Sequence, residues 1–377
     1  MPWKEYTCMS LRREFVNLAG APDANVSELC RRFGVSRKTG YKWLGRFASH
    51  GPEGLKDRSR RPRTSPRRTA PETEARIQRL RQDHEAWGPR KLRRALQRQG
   101  VGSVPAASTI TGILAREGLL RPGRRLQRDW QRFEAEAPNE LLQMDFKGHV
   151  PAGRQRCHPL TIIDDHSRFS LCIAACTDER RETVQTQLTK VFERYGLPER
   201  ILTDNGSPWG SAGQGDHTRL TAWLIRLGIG VSHGRPHHPQ TQGKNERFHR
   251  TLVAEVLSRK AVWRDIDELQ RAFDAWRDVY NFERPHDALG LDVPASRYRP
   301  SPRPFPSPLP SVEYECGAEV RKVRDNGQIK FGGRLWFVGK AFYGEPVAIR
   351  PVAADVWDVY YCRQVIAHLD PTTRDEV

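Results

Sequence analysis

The sequence of 377 residues lacks long apolar runs, closely paired cysteines and a balancing share of acidic residues. Its longest apolar runs, such as SLCIAAC at 170–176, are strand-sized and far too short to span a membrane. The start of the chain contains no apolar stretch that could act as a secretory signal. The seven cysteines include no C-x-x-C pair, so we expect neither a disulfide framework nor a zinc knuckle, but reduced thiols in a cytoplasm.

The charge is strongly one-sided, with 63 Lys and Arg against 45 Asp and Glu and a formal net charge of +18. An excess of this size indicates a polyanionic partner, which is most often nucleic acid and less often an anionic membrane. A solvated basic surface on an unrelated enzyme is the alternative. The length of the chain predicts two to four domains.

Residues 26–47 have the pattern of a helix-turn-helix. Ser27 and Ser36 are the expected N-caps of its two helices, and Gly34 supplies the turn between them. Tyr41 continues the apolar spacing of the second helix, which in this motif enters the major groove of DNA. Three basic residues are expected to point outward toward the DNA: Arg37, Lys38 and Lys42. A plain helical hairpin is the alternative.

The remainder of the first 138 residues predicts more DNA contacts. We place the first domain at 1–56, a basic linker at 57–71, a second helix-turn-helix-like domain at 72–120 and another linker at 121–138. The Arg- and Pro-rich linker lacks periodicity and is expected to lie on phosphates or in a minor groove. Its predicted contacts are Arg60, Arg61 and Arg63, and those of the second helical domain are Arg90 and Lys91.

Residues 139–298 predict an α/β domain. The pattern predicts strands at 141–150, 158–178 (two strands), 200–206 and 228–234, with helices at 182–195, 216–227 and 265–281 and one more around Glu246. The resulting order is three strands, helix, strand, helix, strand, helix. This order predicts a mixed five-stranded sheet with helices on its faces.

The last part of the chain predicts a separate small β module. Residues 299–311 are too rich in proline for a helix or a sheet, and they predict a stiff spacer of roughly 30 Å. Residues 312–377 predict six short strands, with a hairpin turn at Asn326 and Gly327. We expect these strands to form a small β-barrel.

Three acids stand where phosphate chemistry would need them. Carboxylates repel a phosphodiester unless divalent cations lie between them, and two Mg²⁺ ions about 4 Å apart can activate the attacking oxygen and stabilise the leaving one. Asp145 lies in the first predicted strand of the α/β domain, Asp204 at the end of the fourth, and Glu246 about one turn into its helix. Neighbouring strands and a covering helix could bring the three together.

Each acid alone also has a simpler interpretation. Asp145 could pair with an arginine, and Asp204 could belong to an Asp-Asn-Gly turn. Glu246 could pair with Arg250 on an exposed helix face.

Two further acids and four histidines compete for a metal site. Asp164 and Asp165 fall in the predicted turn between two strands, and we interpret them as structural. The histidines lack the paired spacing of a zinc site, which favours phosphate contact or hydrogen bonding; they are His233, His237, His238 and His249.

Five segments carry a resemblance to a known family: LLQMDFKG, LTIIDDHSRF, ILTDNGSPWG, GRPHHPQTQGKNERFHRTL and YNFERPHDALG. With them, the chain from 139 to about 299 resembles the integrase-type catalytic core of bacterial insertion-sequence transposases, the Asp-Asp-Glu superfamily with an RNase H-like fold. Together with the helix-turn-helix segments, the resemblance covers nearly the whole chain. The interval from Asp204 to Glu246 is longer than the common spacing of the family, and the Gly-rich segment 207–217 could absorb the excess.

The resemblance implies that Asp145, Asp204 and Glu246 are both the catalytic and the metal-binding residues, with Mg²⁺ or Mn²⁺ as the cofactor and two ions in each active site. It also implies an oligomer of this chain on double-stranded DNA, bound at terminal inverted repeats. From the cysteines, the charge and the short apolar runs we expect this protein in the cytoplasm, at the nucleoid, and without a membrane partner. The amino-terminal zinc module of retroviral integrases is missing, so zinc is not expected. Four basic residues of the core are expected to orient phosphates: Lys147, Lys244, Arg247 and Arg250.

We therefore predict a DNA transposase. Hydrolysis at an element end would free a 3′-OH, which would attack target DNA in line without a covalent enzyme intermediate. The amino-terminal helices would read the element ends, and the carboxy-terminal barrel would bind DNA less selectively. The alternatives are a prophage integrase or nuclease with the same core, and a domesticated DNA-binding regulator that no longer cuts.

Overall fold

The chain divides into two compact units, residues 1–68 and 69–377. The computed structural model describes residues 7–58, 68–120, 134–210, 217–233 and 243–372. The predicted linker contacts Arg60, Arg61 and Arg63 lie outside the described residues, as do His237, His238 and most of the linker predicted at 121–138. None of the described helices is long and apolar enough to cross a membrane.

The first unit contains three helices, α1 (Cys8–Ala19), α2 (Val26–Arg32) and α3 (Arg37–His50), followed by a 3-10 turn at Gly51–Leu55. The predicted helix-turn-helix is α2 and α3, joined through Gly34, whose φ of +66° is readily accessible only to glycine. Ser36 caps α3 as predicted, by accepting a hydrogen bond from the backbone N–H of Thr39. The predicted cap Ser27 is wrong, because the side chain of Asn25 caps α2 instead.

The small core of the first unit is formed by α1, α2, α3 and the 3-10 turn, and α2 and α3 approach closely within it. A Cβ atom on Gly40 would lie 2.5 Å from the sulfur of Cys30, so glycine and a small partner permit this close approach. Trp43 is the large buried residue of α3, and the Arg12 and Lys42 cations lie over its ring. The prediction that Tyr41 faces the core is wrong, since it is 59% exposed.

The second unit begins with three helices, α4 (Pro71–Asp83), α5 (Pro89–Arg98) and α6 (Ala107–Arg116). The predicted apolar faces are confirmed, because their side chains are buried together with Trp87 in one cluster: Leu92, Ala95, Leu96, Ile110, Ile113 and Leu114. This is a helical domain with its own core, as the spacing predicts.

A mixed sheet forms the centre of the second unit. Its strands are β1 (Leu141–Phe146), β2 (Val150–Ala152), β3 (Gln155–Asp164), β4 (Ser170–Cys176), β5 (Arg200–Thr203) and β6 (Gly230–His233). The order β4-β3-β1-β5-β6 is antiparallel up to β1 and parallel from β1 to β6. The predicted number of five strands is wrong by one, because the short β2 also pairs with β3. The predicted strand at 141–150 includes only the first residue of β2, so this short strand was not predicted as an element of its own.

Four helices cover the two faces of this sheet: α7 (Arg181–Tyr195), α8 (Arg219–Arg226), α9 (Gly243–Glu255) and α10 (Ile266–Asp278). Leu142 and Met144 of β1 are buried with apolar side chains of α7 and α8. The opposite face packs on α9 and α10, where Phe248, Leu252 and Val256 are buried as predicted. Because side chains alternate along a strand, the residues at 143 and 145 face α9.

The Pro-rich segment 299–311 is not a free spacer, contrary to the prediction. The Ser301 N–H donates to the carbonyl of Tyr195 at the end of α7, and the Arg303 guanidinium donates to the carbonyls of Pro198 and Leu227. Phe305 and Leu309 pack on the core. A proline-rich backbone makes few hydrogen bonds of its own, so its polar groups remain available to cap neighbouring elements.

All six predicted carboxy-terminal strands are confirmed: β7 (Glu319–Lys322), β8 (Gln328–Phe331), β9 (Arg334–Phe337), β10 (Pro346–Ala353), β11 (Val356–Tyr361) and β12 (Gln364–Leu369). They form a four-stranded sheet in the order β12-β11-β10-β7 and the hairpin β8-β9. Among the described residues these two sheets do not close into the predicted barrel. Both sheets contribute to one core that also contains Ala222 and Ile225 of α8.

Candidate active site

The register of two parallel strands brings Asp145 and Asp204 together. Leu141, Leu142 and Gln143 of β1 pair with Arg200, Ile201 and Leu202 of β5. Two further steps in the same register place Asp145 beside Asp204, which directly follows β5. Both carboxylates therefore lie at the carboxyl end of neighbouring parallel strands, which is where open α/β sheets place their functional residues.

Asp145 is held in an environment that disfavours its charge. Its side chain is 23% exposed. Burial, followed by the nearby negative charge of Asp204, raises the pKa of Asp145 to about 7. Lys147, two residues along the chain, acts in the opposite direction. The site thus contains two acids that repel each other, and this is the arrangement that a bound cation would stabilise.

Asp204 is oriented by hydrogen bonds from the loop that follows it. Its Oδ1 accepts from the backbone N–H of Gly206 at 3.0 Å and from the indole N–H of Trp209. Trp209 is buried and stacks on Phe146 of β1 at 5.4 Å between ring centroids. The sequence reasoning missed this tryptophan. Its only local signal was an aromatic residue in a loop five residues after a candidate acid.

His249 of α9 packs against the strand that carries Asp145. Its Nε2 lies 2.8 Å from Oγ1 of Thr161, and that hydroxyl donates to the backbone carbonyl of Asp145 at 3.0 Å. Because the hydroxyl has one proton, Nε2–H is the donor to Thr161. Burial and the charge of Lys147 lower the pKa of His249 to about 4. A neutral His249 therefore serves hydrogen bonding, one of the two roles that the sequence favoured.

Glu246 lies one turn before His249 on α9, but its side chain points toward solvent. It is 67% exposed, and Nε of Arg250 lies 3.9 Å from its Oε1. Within the part of the chain that the structure describes, no three His, Cys, Asp or Glu side chains are grouped to hold a metal ion. The structure thus brings Asp145 and Asp204 together and places Glu246 on the adjacent helix.

The two acids of the β3–β4 turn are fully buried and have different partners. Asp164 accepts hydrogen bonds from Ser167 in the turn and from the backbone N–H of Asn139. Asp165 accepts from Gln143 and forms an ion pair with Lys244. The structural interpretation of both acids agrees with these contacts. Lys244, predicted to contact phosphate, is therefore already paired within the protein.

The opposite end of α9 is anchored by the segment YNFERPHDALG. Glu255, buried in the last turn of α9, accepts from Nε of Arg284 and from the indole N–H of Trp276, both at 2.9 Å. Arg284 follows a single π-helical turn at Val279–Glu283. The side-chain amide of Asn281 in that turn bonds to the backbone of Ser170 in β4. These contacts join α9, α10 and the sheet.

The remaining predicted DNA contacts differ in exposure. Arg37, Lys38, Lys42, Arg247 and Arg250 are exposed, and Lys147 is half-buried beside Asp145. Arg90 is exposed, with its guanidinium 3.5 Å from the Asp287 carboxylate. Lys91 is mostly enclosed, and burial lowers its pKa to about 8. Enclosure of Lys91 makes it a poor candidate for a phosphate contact.

Family models match most of the chain. Integrase core domain models match residues 135–239 and 227–294. A homeodomain-like domain matches 39–114 and a helix-turn-helix domain matches 11–63. The C-terminal domain of IS481 family transposases matches 318–377.

Two relatives of the chain come from bacterial insertion elements. An uncharacterized 31.7 kDa protein of insertion element IS407 from Burkholderia multivorans is 25% identical over 227 residues, which cover 59% of this chain and 78% of that protein. A 39.2 kDa protein of insertion element IS476 from Xanthomonas euvesicatoria is 26% identical over 313 residues, covering 75% of this chain and 87% of that protein.

Two solved structures show a distant likeness. One is the simian T-cell lymphotropic virus intasome in complex with PP2A regulatory subunit B56 gamma, with 15% identity and a TM-score of 0.39 over 78% of this chain and 96% of that chain. The other is the HTLV-2 integrase catalytic core domain in complex with magnesium, with 17% identity and a TM-score of 0.33 over 44% and 100%. The family of the chain follows from the family models and the insertion-element relatives, and not from these structures. The chain belongs to the bacterial insertion-sequence transposases of the Asp-Asp-Glu integrase superfamily.

Proposed function

We propose that this transposase cleaves DNA at the ends of its insertion sequence and joins the freed 3′ ends to target DNA, with Asp145, Asp204 and Glu246 as the ligands of Mg²⁺ or Mn²⁺. The observation that carries the proposal is the Asp145–Asp204 pair. Two carboxylates stand at adjoining strand positions, and burial and mutual repulsion raise the pKa of one of them. Such a costly arrangement is typical of a site that serves chemistry rather than stability.

The side chains present fit a hard divalent cation. Mg²⁺ binds through a few carboxylates and keeps its other positions for water and phosphate oxygens. When bound, two such ions would neutralise the phosphate and activate the attacking oxygen. Glu246, on the helix next to Asp145, is the third ligand that we assign. Its side chain is 67% exposed and its ion pair is with the exposed Arg250, so a change of rotamer toward the two aspartates would break no buried ion pair among the described residues.

The protein's own residues would hold the reacting groups in place. Trp209 and Gly206 orient the carboxylate of Asp204, and neutral His249 supports the strand of Asp145 through Thr161. Exposed Arg247 and Arg250 lie beside Glu246 on α9. These two cations would position DNA phosphates in the site, together with Lys147.

The distribution of charge indicates which domains grip DNA. Residues 1–138 contain 30 Lys and Arg against 14 Asp and Glu, whereas residues 312–377 contain 9 against 10. Almost the whole excess of positive charge therefore lies in the amino-terminal third of the chain, which contains the helix-turn-helix domains. We propose that these domains provide the electrostatic part of DNA binding and that the carboxy-terminal sheets contribute little of it.

The test is cleavage and joining of duplex oligonucleotides that carry the inverted repeats flanking the reading frame, in Mn²⁺ and in Mg²⁺. Glu246→Gln should bind these ends like the wild type. Its rates of cleavage and joining should fall by more than about 100-fold. Loss of a metal ligand should cost more than the 10–100-fold that is typical of changes outside the ligand shell. A matched control is Glu182→Gln on α7, whose side chain is also 67% exposed and paired with an arginine. The control should keep full activity. Joining by Glu246→Gln at the wild-type rate would refute the assignment.

A further inference from the structure

A single buried carboxylate links the two elements that carry Asp145 and Glu246. Asp165 is fully buried at the end of β3. Its Oδ1 accepts from the side-chain amide of Gln143 at 2.7 Å. Its Oδ2 accepts from the backbone N–H of Ala135 at 2.8 Å and forms the ion pair with Nζ of Lys244. Lys244 also donates to the backbone carbonyl of Asp165 at 3.3 Å.

Each linked residue stands two positions before a candidate metal ligand. Gln143 and Asp145 lie on the same face of β1, because side chains alternate along a strand. Lys244 and Glu246 lie in the first turn of α9. The carboxylate of Asp165 therefore connects the strand of one acid with the helix turn of the other.

The side chain of Glu246 does not itself fix its position. It is 67% exposed, and its one ion pair with a described residue is with the exposed Arg250, at 3.9 Å. Lys244 is 18% exposed and its partner Asp165 is completely enclosed. A buried pair is costly to break, because the remaining partner keeps an uncompensated charge. Lys244 therefore ties the first turn of α9 to the sheet through a buried ion pair, next to the fully buried Asn245.

We propose that Asp165 and Lys244 are positioning residues that hold Glu246 at the distance from Asp145 at which both bind the same divalent cations. This proposal rests on the proposed function. It assigns to Asp165 neither metal binding nor a phosphate contact, and it gives Lys244 a role within the protein instead of on DNA. Partners outside the ligand shell commonly change metal affinity by 10–100-fold.

The experiment measures Mn²⁺ affinity by titration calorimetry on the full chain and, in parallel, cleavage of the repeat-bearing duplex. Lys244→Met should raise the Kd for Mn²⁺ by 10–100-fold, with unchanged binding of DNA ends. Lys244→Arg keeps the charge and should stay within a few-fold of the wild type. Asp165→Asn should resemble Lys244→Met. Thermal melts of each variant report whether the fold is intact.

Asp164→Asn is the matched control. Asp164 is as buried as its neighbour, but the partners of its carboxylate among the described residues are Ser167 in the turn and the backbone N–H of Asn139, and neither lies on β1 or α9. Its substitution should lower the melting temperature and leave the Kd for Mn²⁺ unchanged. Wild-type Mn²⁺ affinity in Lys244→Met would overturn the proposal. An equal loss of affinity in Asp164→Asn would do so too, because it would show general destabilisation.

The failure of the proposed function looks different. In that case Asp145→Asn would bind Mn²⁺ as tightly as the wild type, and the wild type would not cut the duplex. If Asp145→Asn abolishes Mn²⁺ binding while Lys244→Met leaves it intact, the metal site stands and only the positioning role is refuted.

Discussion

Replacing Asp145 with asparagine should make the metal-free protein more stable. The pKa of Asp145 rises from 3.8 to about 7, first through burial and then through the charge of Asp204. One pKa unit corresponds to about 1.36 kcal/mol, so the charged carboxylate costs the fold about 4 kcal/mol above pH 7. Asparagine removes the charge and keeps the shape. We expect a gain of about 1–4 kcal/mol, or roughly 2–16 °C in Tm at the 2–4 °C per kcal/mol typical of a domain of about 150–250 residues.

The effect should depend on pH in a defined direction. Between about pH 4 and pH 7 the unfolded chain has lost the proton that Asp145 still keeps in the folded protein. The contribution of this group to stability therefore decreases as the pH rises through that window. The difference in Tm between Asp145→Asn and the wild type should be small near pH 4.5 and complete above pH 7.

The assay is a thermal melt in EDTA at pH 4.5 and pH 8, repeated with Mn²⁺. Asp178→Asn serves as a control, because hydrogen bonds from Thr183 and from the backbone N–H of Arg180 lower the pKa of Asp178. This control should not raise the Tm. Mn²⁺ should raise the Tm of the wild type more than that of Asp145→Asn. If Asp145→Asn melts at or below the wild-type temperature in EDTA at pH 8, the reasoning about the buried charge is wrong.

Two further predictions concern stability and DNA binding. Glu255→Gln leaves the buried Arg284 without its counter-charge and should cost about 3–5 kcal/mol in urea unfolding, whereas the same substitution at exposed Glu246 should be nearly neutral. Replacing both Lys38 and Lys42 with alanine should reduce the slope of log K against log salt by about 2 if both bind phosphates. The control replaces two lysines of the nearly neutral carboxy-terminal sheets, Lys322 and Lys330, with alanine. An equal change in the salt slope of this control variant would contradict the proposed division of DNA binding.

Local patterns predicted the elements well. The alternating strands of the carboxy-terminal module were predicted within a few residues, because alternation and an Asn-Gly turn are local signals. The apolar spacing of α9 correctly placed Phe248, Leu252 and Val256 on the sheet. Tyr41 was assigned to the wrong face of its helix, because its spacing fitted the apolar pattern and the true buried face contains a glycine beside Trp43.

Features that depend on distant partners were not predictable in this way. The Pro-rich segment looked like a spacer, yet its polar groups bond to the ends of α7 and α8 more than 70 residues away in the chain. Whether two sheets close into a barrel depends on how they meet in space, and the alternation of residues along each strand does not determine that. Lys244 looked like one more basic residue of a phosphate-binding helix. Its partner Asp165 is separated from it by 79 residues.

Residue type and local spacing are enough to predict most of the element order, most of the apolar faces, the concentration of positive charge in the first 138 residues and the three candidate acids. Two features come from contacts between distant parts of the chain: the β1–β5 register sets Asp145 beside Asp204, and Asp165 joins Gln143 to Lys244. The physical reason is that a pKa or an ion pair depends on which groups approach through space. Strand register and helix packing determine which groups come close to each other, and both depend on contacts between distant parts of the chain.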